Sequence, residues 1–298
     1  MTPSPDGCGP RDDADPSRCT RLEVQKLNEL PPMSAVARQF LEAIEDPELE
    51  VRQMATIVAQ DPALLGRLIG VANSAYFGFP EPIVTAEDAI FKVLGLNMAK
   101  NLALGIVLSG PFDTTRCRAF RLDSYWANAM TVAILAQRLA PMITVTSRPS
   151  TGDAYLAGLL HSIGVLALVH RFPAAMTQVW KAHSAGAAQL IQLEREALGT
   201  DHCDVGGWLA RKWRLPAHIV AVIERHMEDT PGGEHRPLIS LIRHCLSWTQ
   251  ALEAGSGEAS MLDLAELGID AATVLRVTAQ VSQRREAIRR LSQTLAYG

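Results

Sequence analysis

The sequence predicts an all-α protein, and three observations lead to that fold class. Hydrophobic residues make up 48% of the 298 residues but aromatic ones only 5%, a balance that suits close-packed helices better than β-strands. Helix-start signals recur along the chain, and apolar residues repeat at helical spacing. At about 150 residues per domain, the chain can bury one large core or two small ones.

The first half carries the clearest helix starts. Asp46–Pro47 and Asp61–Pro62 each place an acceptor at an N-cap and a proline at the first helical position. Thr85 with Asp88 resembles a capping box, and Gly95 is placed to end that helix. We therefore predict helices beginning at these positions, separated by a Gly/Pro loop.

The second half is predicted to hold the core. A helical stripe runs from about Tyr125 to Leu139, and the segment from Ala154 to Val169 is apolar nearly all round, as a helix buried at the centre of a bundle would be. This segment is too short for a membrane span and is interrupted by His161. Further helical patterns cover 174–198, 204–213 and 216–227.

The last segment, 270–295, is predicted to be one amphipathic helix. Val274, Val281, Ile288 and Leu295 repeat every seven residues, but Arg284 interrupts the seam at a d-type position. Docking within the chain is therefore favoured, with a coiled-coil homodimer as the alternative. The arginines of this helix are a candidate docking surface for an acidic partner, although a solvated face explains them equally well.

Charge and cysteine content limit the classes of function. The net charge of -4 lacks the positive excess that drives nucleic-acid binding. The first nineteen residues contain no apolar targeting region, so we expect a cytoplasmic protein without a membrane anchor. An odd number of widely spaced cysteines, with no C-x-x-C pair, indicates reduced thiols: Cys8, Cys19, Cys117, Cys203 and Cys245.

Histidines are the residues most suggestive of chemistry. His161 lies in GLLHSIG, His202 follows a Gly-Thr-Asp turn, and His226 ends a predicted helix. A single histidine on an apolar helix is more often a hydrogen-bonded core residue than a ligand. A catalytic divalent site usually also needs carboxylates, and the residue after His161 is Ser162.

Four segments, in this order, resemble the HDOD domain over about Leu27 to Arg243: DPALLGRLIGVANSAYFG, AEDAIFKVLG, AYLAGLLHSIG and LGTDHCDVGGWLARKWRLPAHIVAVIERH. The HDOD domain is a helical bacterial signalling module related to the HD superfamily of metal-dependent phosphohydrolases. The resemblance implies two helical lobes and a regulatory role. We expect a disordered tail over 1–20, the HDOD-like domain over 21–243 and a helical extension over 244–298.

Carrying over the superfamily's metal pattern leaves a degenerate pocket. Its first histidine would fall near Asn128, its His-Asp pair on His161–Ser162, a lone histidine on His202, a His-His pair on His226–Met227, and its closing aspartate on or near His244. Three imidazoles survive, but the bridging carboxylate does not. The resemblance therefore implies no catalytic residues, no metal and no cofactor.

Three functional hypotheses follow from the resemblance. The first is a non-enzymatic signalling protein that contacts other signalling proteins. The second is a sensor that binds a nucleotide or another phosphate ligand in the degenerate pocket. The third is a residual metal-dependent phosphohydrolase. Binding to nucleic acid or membranes is not expected.

Overall fold

The computed structural model describes residues 33–46, 48–185, 189–254 and 263–298, and these ranges contain helices and no strands. The predicted all-α fold class is therefore confirmed. The expected disordered tail lies outside the described residues.

The first half consists of short helices. They are α1 (Ala35–Glu45), α2 (Val51–Ala59), α3 (Pro62–Ala72), α4 (Ala86–Asp88), which continues into a π-helical segment (Ala89–Leu94), and α5 (Leu96–Ser109). Asp61 caps α3 as predicted, because its carboxylate accepts hydrogen bonds from two backbone N–H groups of the first turn at 2.9 and 3.1 Å.

The predicted helix start at Asp46 is wrong. Asp46 instead ends α1, and its side chain accepts a bond from the backbone N–H of Glu48 within the turn. The next helix begins at Val51, after Glu50 and Gln53 have formed a reciprocal capping box. That pair satisfies two helix-end donors, so it sets the start of α2.

The Gly/Pro loop after α3 is closed by one amide side chain. Asn73, at the end of α3, donates to the carbonyl of Ile83 and accepts from its N–H, both at 2.8 Å. Thr85 then accepts from the N–H of Asp88 as predicted, and Gly95 ends the segment with a positive φ of 72°.

The second half surrounds a buried pair of helices. It comprises α6 (Leu122–Leu139), α7 (Thr151–Leu160), α8 (Ile163–Arg171), α9 (Pro173–Ser184), α10 (Leu190–Leu198), α11 (His202–Lys212), α12 (Ala217–Arg225) and α13 (Arg236–Glu253). Gly158 of α7 lies against α6 so closely that an added Cβ would stand 2.6 Å from the Cα of Ala133. Close backbone contact of α6 and α7 therefore forms the centre of the core.

The expected single core helix over 154–169 is two helices. His161 and Ser162 form a turn between α7 and α8, and Ser162 leaves helical geometry at φ -108° and ψ 21°. The whole segment Thr151–Arg171 is long and apolar enough to cross a membrane, but 83% of its most apolar window is buried inside the protein. Its burial within the bundle matches the predicted core position.

The C-terminal segment forms two consecutive helices rather than one helix. Helices α14 (Ala271–Gln283) and α15 (Arg285–Tyr297) meet at Arg284, the residue that interrupts the apolar repeat. All four repeat positions are buried, and α15 packs against α6 and α3. The predicted docking within the chain is confirmed, and α13 runs through the expected boundary between 243 and 244.

Candidate functional site

Three of the predicted histidines converge in the core of the second half. His161 ends α7, His202 begins α11, and His226 ends α12. The ring centroid of His226 lies 5.1 Å from that of His161 and 5.4 Å from that of His202. All three side chains are buried, with residue exposures of 1%, 4% and 0% in chain order.

Two features of the backbone hold His202 in this cluster. Asp201 caps α11 by accepting from the N–H groups of Cys203 and Asp204 at 2.8 and 3.0 Å. Gly164 of α8 lies against α11, where an added Cβ would stand 2.7 Å from the backbone nitrogen of Gly206 and still closer to the His202 carbonyl. A glycine at 164 therefore permits the close approach of the two helices.

Hydrogen bonds on Nδ1 orient each ring. The Nδ1 of His161 lies 2.7 Å from the carbonyl oxygen of Gly158, and that of His226 lies 3.2 and 3.1 Å from the carbonyls of Val222 and Ile223. A carbonyl only accepts, so Nδ1 carries the proton in both rings. Their Nε2 atoms are left with a free lone pair.

Burial keeps two of the imidazoles neutral. Desolvation lowers the pKa of His161 to about 4, against the opposing effect of the Gly158 carbonyl. Desolvation also lowers the pKa of His226 well below its usual value, and the neighbouring imidazoles of His161 and His202 lower it further. Both rings are therefore uncharged at neutral pH.

His202 differs because it contacts a buried carboxylate. Burial alone would lower its pKa, but the interactions of the ring with Glu194 and Cys203 outweigh that effect and raise the pKa well above its usual value. The Oε2 atom of Glu194 lies 2.5 Å from the ring Nδ1 and accepts from the His202 backbone N–H at 3.0 Å. Glu194 is fully buried, and its Oε1 atom has no partner among the described residues.

Two residues of this site were missed from the sequence. Glu194 lies between Leu190 and Leu198 on one face of α10, and a carboxylate in an apolar stripe is a signal that could have identified it. Cys203 was treated only as a reduced thiol, yet its Sγ atom lies 3.9 and 4.0 Å from the two ring nitrogens of His226. The ligand atoms of His202, Cys203 and His226 all lie within 4.8 Å of one another.

The remaining predicted pocket residues lie outside this cluster of contacts. Ser162 hydrogen-bonds the phenol of Tyr125, whose pKa is raised by burial. Asn128 is half-buried on α6 and shares no hydrogen bond with the three imidazoles in the described part of the chain. His244 lies on α13 with its Nε2 atom 3.3 Å from a carboxylate oxygen of Glu266.

The site does not fit the cation pair of HD-type hydrolases. Mg²⁺ and Mn²⁺ prefer oxygen ligands, and two-metal sites need carboxylates that bridge the ions. Glu194 is the carboxylate that touches the described cluster, and it is bonded to His202. The donors that remain are nitrogen and sulfur atoms, which suit hard cations poorly.

Comparison with known proteins agrees with this fold. The family model of the HDOD domain matches residues 30–229, a range that contains the three converging histidines and ends before His244. An uncharacterized protein of Treponema pallidum (strain Nichols) is 24% identical over 221 residues. The alignment covers 74% of this chain but only 42% of that protein, so the chain spans less than half of this relative.

Solved structures share the fold at low identity. A proposed signal transduction protein from Marinobacter aquaeolei VT8 has a TM-score of 0.79 at 23% identity, covering 95% of this chain and 67% of that one. A proposed phosphohydrolase from Shewanella amazonensis SB2B has a TM-score of 0.73 at 23% identity, and the match covers 92% of this chain and 98% of that one. An HDOD domain protein of unknown function from Geobacter sulfurreducens has a TM-score of 0.70 at 21% identity, and the match covers 93% of this chain and 99% of that one. The chain belongs to the HDOD domain family.

Proposed function

We propose that this chain is a non-enzymatic signalling protein that acts by contacting other proteins. The observation that carries the proposal is the composition of its central site. Three buried imidazoles stand where a hydrolase of the related superfamily would hold cations, and the residue after His161 is a serine whose hydroxyl bonds Tyr125. A neutral hydroxyl cannot bridge two cations as a carboxylate does.

The burial of the site also favours this function over a nucleotide sensor. A small-molecule site is a cleft of about 300 to 1,000 Å³. The three histidines are at most 4% exposed, and neither of two cavities elsewhere in the described chain is lined by any of them. A phosphate ligand would have to open the helix packing before it reached the imidazoles.

An assay for hydrolysis of phosphate esters is the first test. The purified full chain is assayed with cyclic dinucleotides and nucleoside phosphates in the presence of Mg²⁺ or Mn²⁺, and no turnover above the buffer rate is expected. Turnover that is lost in His161→Ala but kept in His235→Ala, a half-buried histidine outside the cluster, would overturn the proposal.

Partner binding is the second test. The full chain is immobilised and used to capture proteins from a bacterial lysate, with bound proteins identified by mass spectrometry. Signalling or gene-regulatory proteins are expected at higher yield than on a blank support. Each is then purified and titrated against the chain, and failure of every candidate to bind directly counts against the proposal.

A further inference from the structure

We infer that His202, Cys203 and His226 form a binding site for one borderline-soft divalent ion of the Zn²⁺ class. The site goes beyond the proposed signalling function and departs from the expectation, drawn from the sequence, that the chain binds no metal. Helix α11 supplies two neighbouring ligands and α12 the third. Their ligand atoms lie within 4.8 Å of one another, and all three side chains are buried.

The donor set selects the class of metal. Two imidazole nitrogens and one sulfur suit Zn²⁺, whereas Mg²⁺ and Mn²⁺ prefer oxygen. On binding, the Cys203 thiol and the charged imidazole of His202 each give up one proton to solvent, the imidazole from Nε2, as the sulfur–metal and nitrogen–metal bonds form. The chemistry therefore differs from that of the hard cation pair excluded above.

The hydrogen bonds around the ligands match those of metal-binding histidines. Such histidines usually direct one ring nitrogen to a carboxylate or carbonyl and the other to the metal. In His202 the Nδ1 atom is bonded to Glu194, and in His226 it is bonded to the carbonyls of Val222 and Ile223. The Nε2 atom of each ring is thus the remaining coordination atom.

One pair of ligand atoms stands close to the spacing that a bound ion requires. Two ligands of a tetrahedral zinc ion, one sulfur and one nitrogen, stand about 3.6 Å apart. The Sγ atom of Cys203 lies 4.0 Å from the Nε2 atom of His226. Closing this gap requires a movement of a few tenths of an ångström, within the freedom of side-chain torsions.

The site is closed to substrates. His226 has no exposed surface, and the imidazole of His161, rather than solvent, stands beside its ring at 5.1 Å between centroids. A metal held here stabilises the packing of α11 against α12 and has no access to a phosphate ester. The inference is therefore compatible with a signalling protein that catalyses no reaction.

Cobalt binding tests the inference. The reduced, chelator-treated full chain is titrated with Co²⁺, and we expect one equivalent to bind with a thiolate-to-cobalt charge-transfer band that excess Zn²⁺ removes. Cys203→Ser and Cys203→Ala are expected to lose the band while keeping the helical circular dichroism. Glu194→Gln is expected to weaken binding by tenfold or more, in the range of about 10 to 100 known for such outer partners.

Matched variants make the test specific. Cys245→Ser removes another buried cysteine, on α13, and the double variant Cys8→Ser with Cys19→Ser removes the two nearest the N-terminus. Both are expected to keep the band. A band that survives in the Cys203 variants, a band lost in either control, or no cobalt bound at one equivalent would overturn the inference.

Discussion

Replacing Gly164 with alanine is expected to separate α8 from α11 and to destabilise the protein. An added Cβ would stand 2.7 Å from the backbone nitrogen of Gly206, and the His202 carbonyl is nearer still. Ordinary contacts of a Cβ begin at about 3.4 Å, so the helices must move apart by at least ~0.7 Å. Overpacking a core costs about 1 to 3 kcal/mol, and we expect the upper end because both obstacles are backbone atoms.

A second glycine provides the matched control. Gly66 lies inside α3, where an added Cβ would meet nothing within 4 Å. Gly66→Ala is therefore expected to raise the free energy of unfolding by about 0.5 to 1 kcal/mol, through helix propensity and a less flexible unfolded chain. Replacing glycine with alanine should thus lower the free energy of unfolding in α8 and raise it in α3.

Urea denaturation followed by circular dichroism measures both variants. The two free energies of unfolding should differ by about 2 to 4 kcal/mol, with the m-value unchanged. Equal stabilities for the two variants, or a stabilised Gly164→Ala, would show that α8 and α11 do not pack in this way.

Three further outcomes follow from the site and from the loop. In metal-free protein, the depressed pKa of His161 means that stability is full above about pH 6.5 and declines as the pH falls towards 4, with His161 alone contributing a loss of about 2 kcal/mol at pH 5. His161→Asn should reduce this slope in denaturation measured across pH and leave the part that is due to His226. Glu194→Gln should cost about 1.5 to 3 kcal/mol in thermal unfolding, because the buried ring of His202 loses its charged hydrogen-bond partner and gives up its own charge. Asn73→Ala should cost about 1 to 3 kcal/mol and speed proteolysis of residues 74–83, because the backbone of Ile83 loses both hydrogen bonds.

Local signals explain how much of the fold could be predicted. Asp61 and Thr85 cap helices through bonds to residues two or three positions away, so a short stretch of sequence contains the whole interaction. The interruption of the apolar repeat at Arg284 predicted docking within the chain, and the same residue is where one helix ends and the next begins. The same reasoning failed at Asp46, where the competing cap at Glu50 sets the helix start.

The candidate site could be predicted only in part. The resemblance identified His161, His202 and His226 as members of one group, and the structure brings these three together. The positions of Glu194 and Cys203 depend on how α10, α11 and α12 pack. Contacts between helices of this kind have no short-range sequence pattern, so the chemistry of the site became visible only in three dimensions.

The packing of α15 on α3 has a consequence for how the protein folds. Gly70 lies so close to Thr294 that an added Cβ would stand 2.6 Å from its methyl group, and Arg67 bonds the carbonyl of Gly298 across 231 positions. Helix α3 is synthesised before α15, so this face of α3 stays uncovered until α15 has been made. Such distant pairing slows folding and leaves apolar surface open during synthesis.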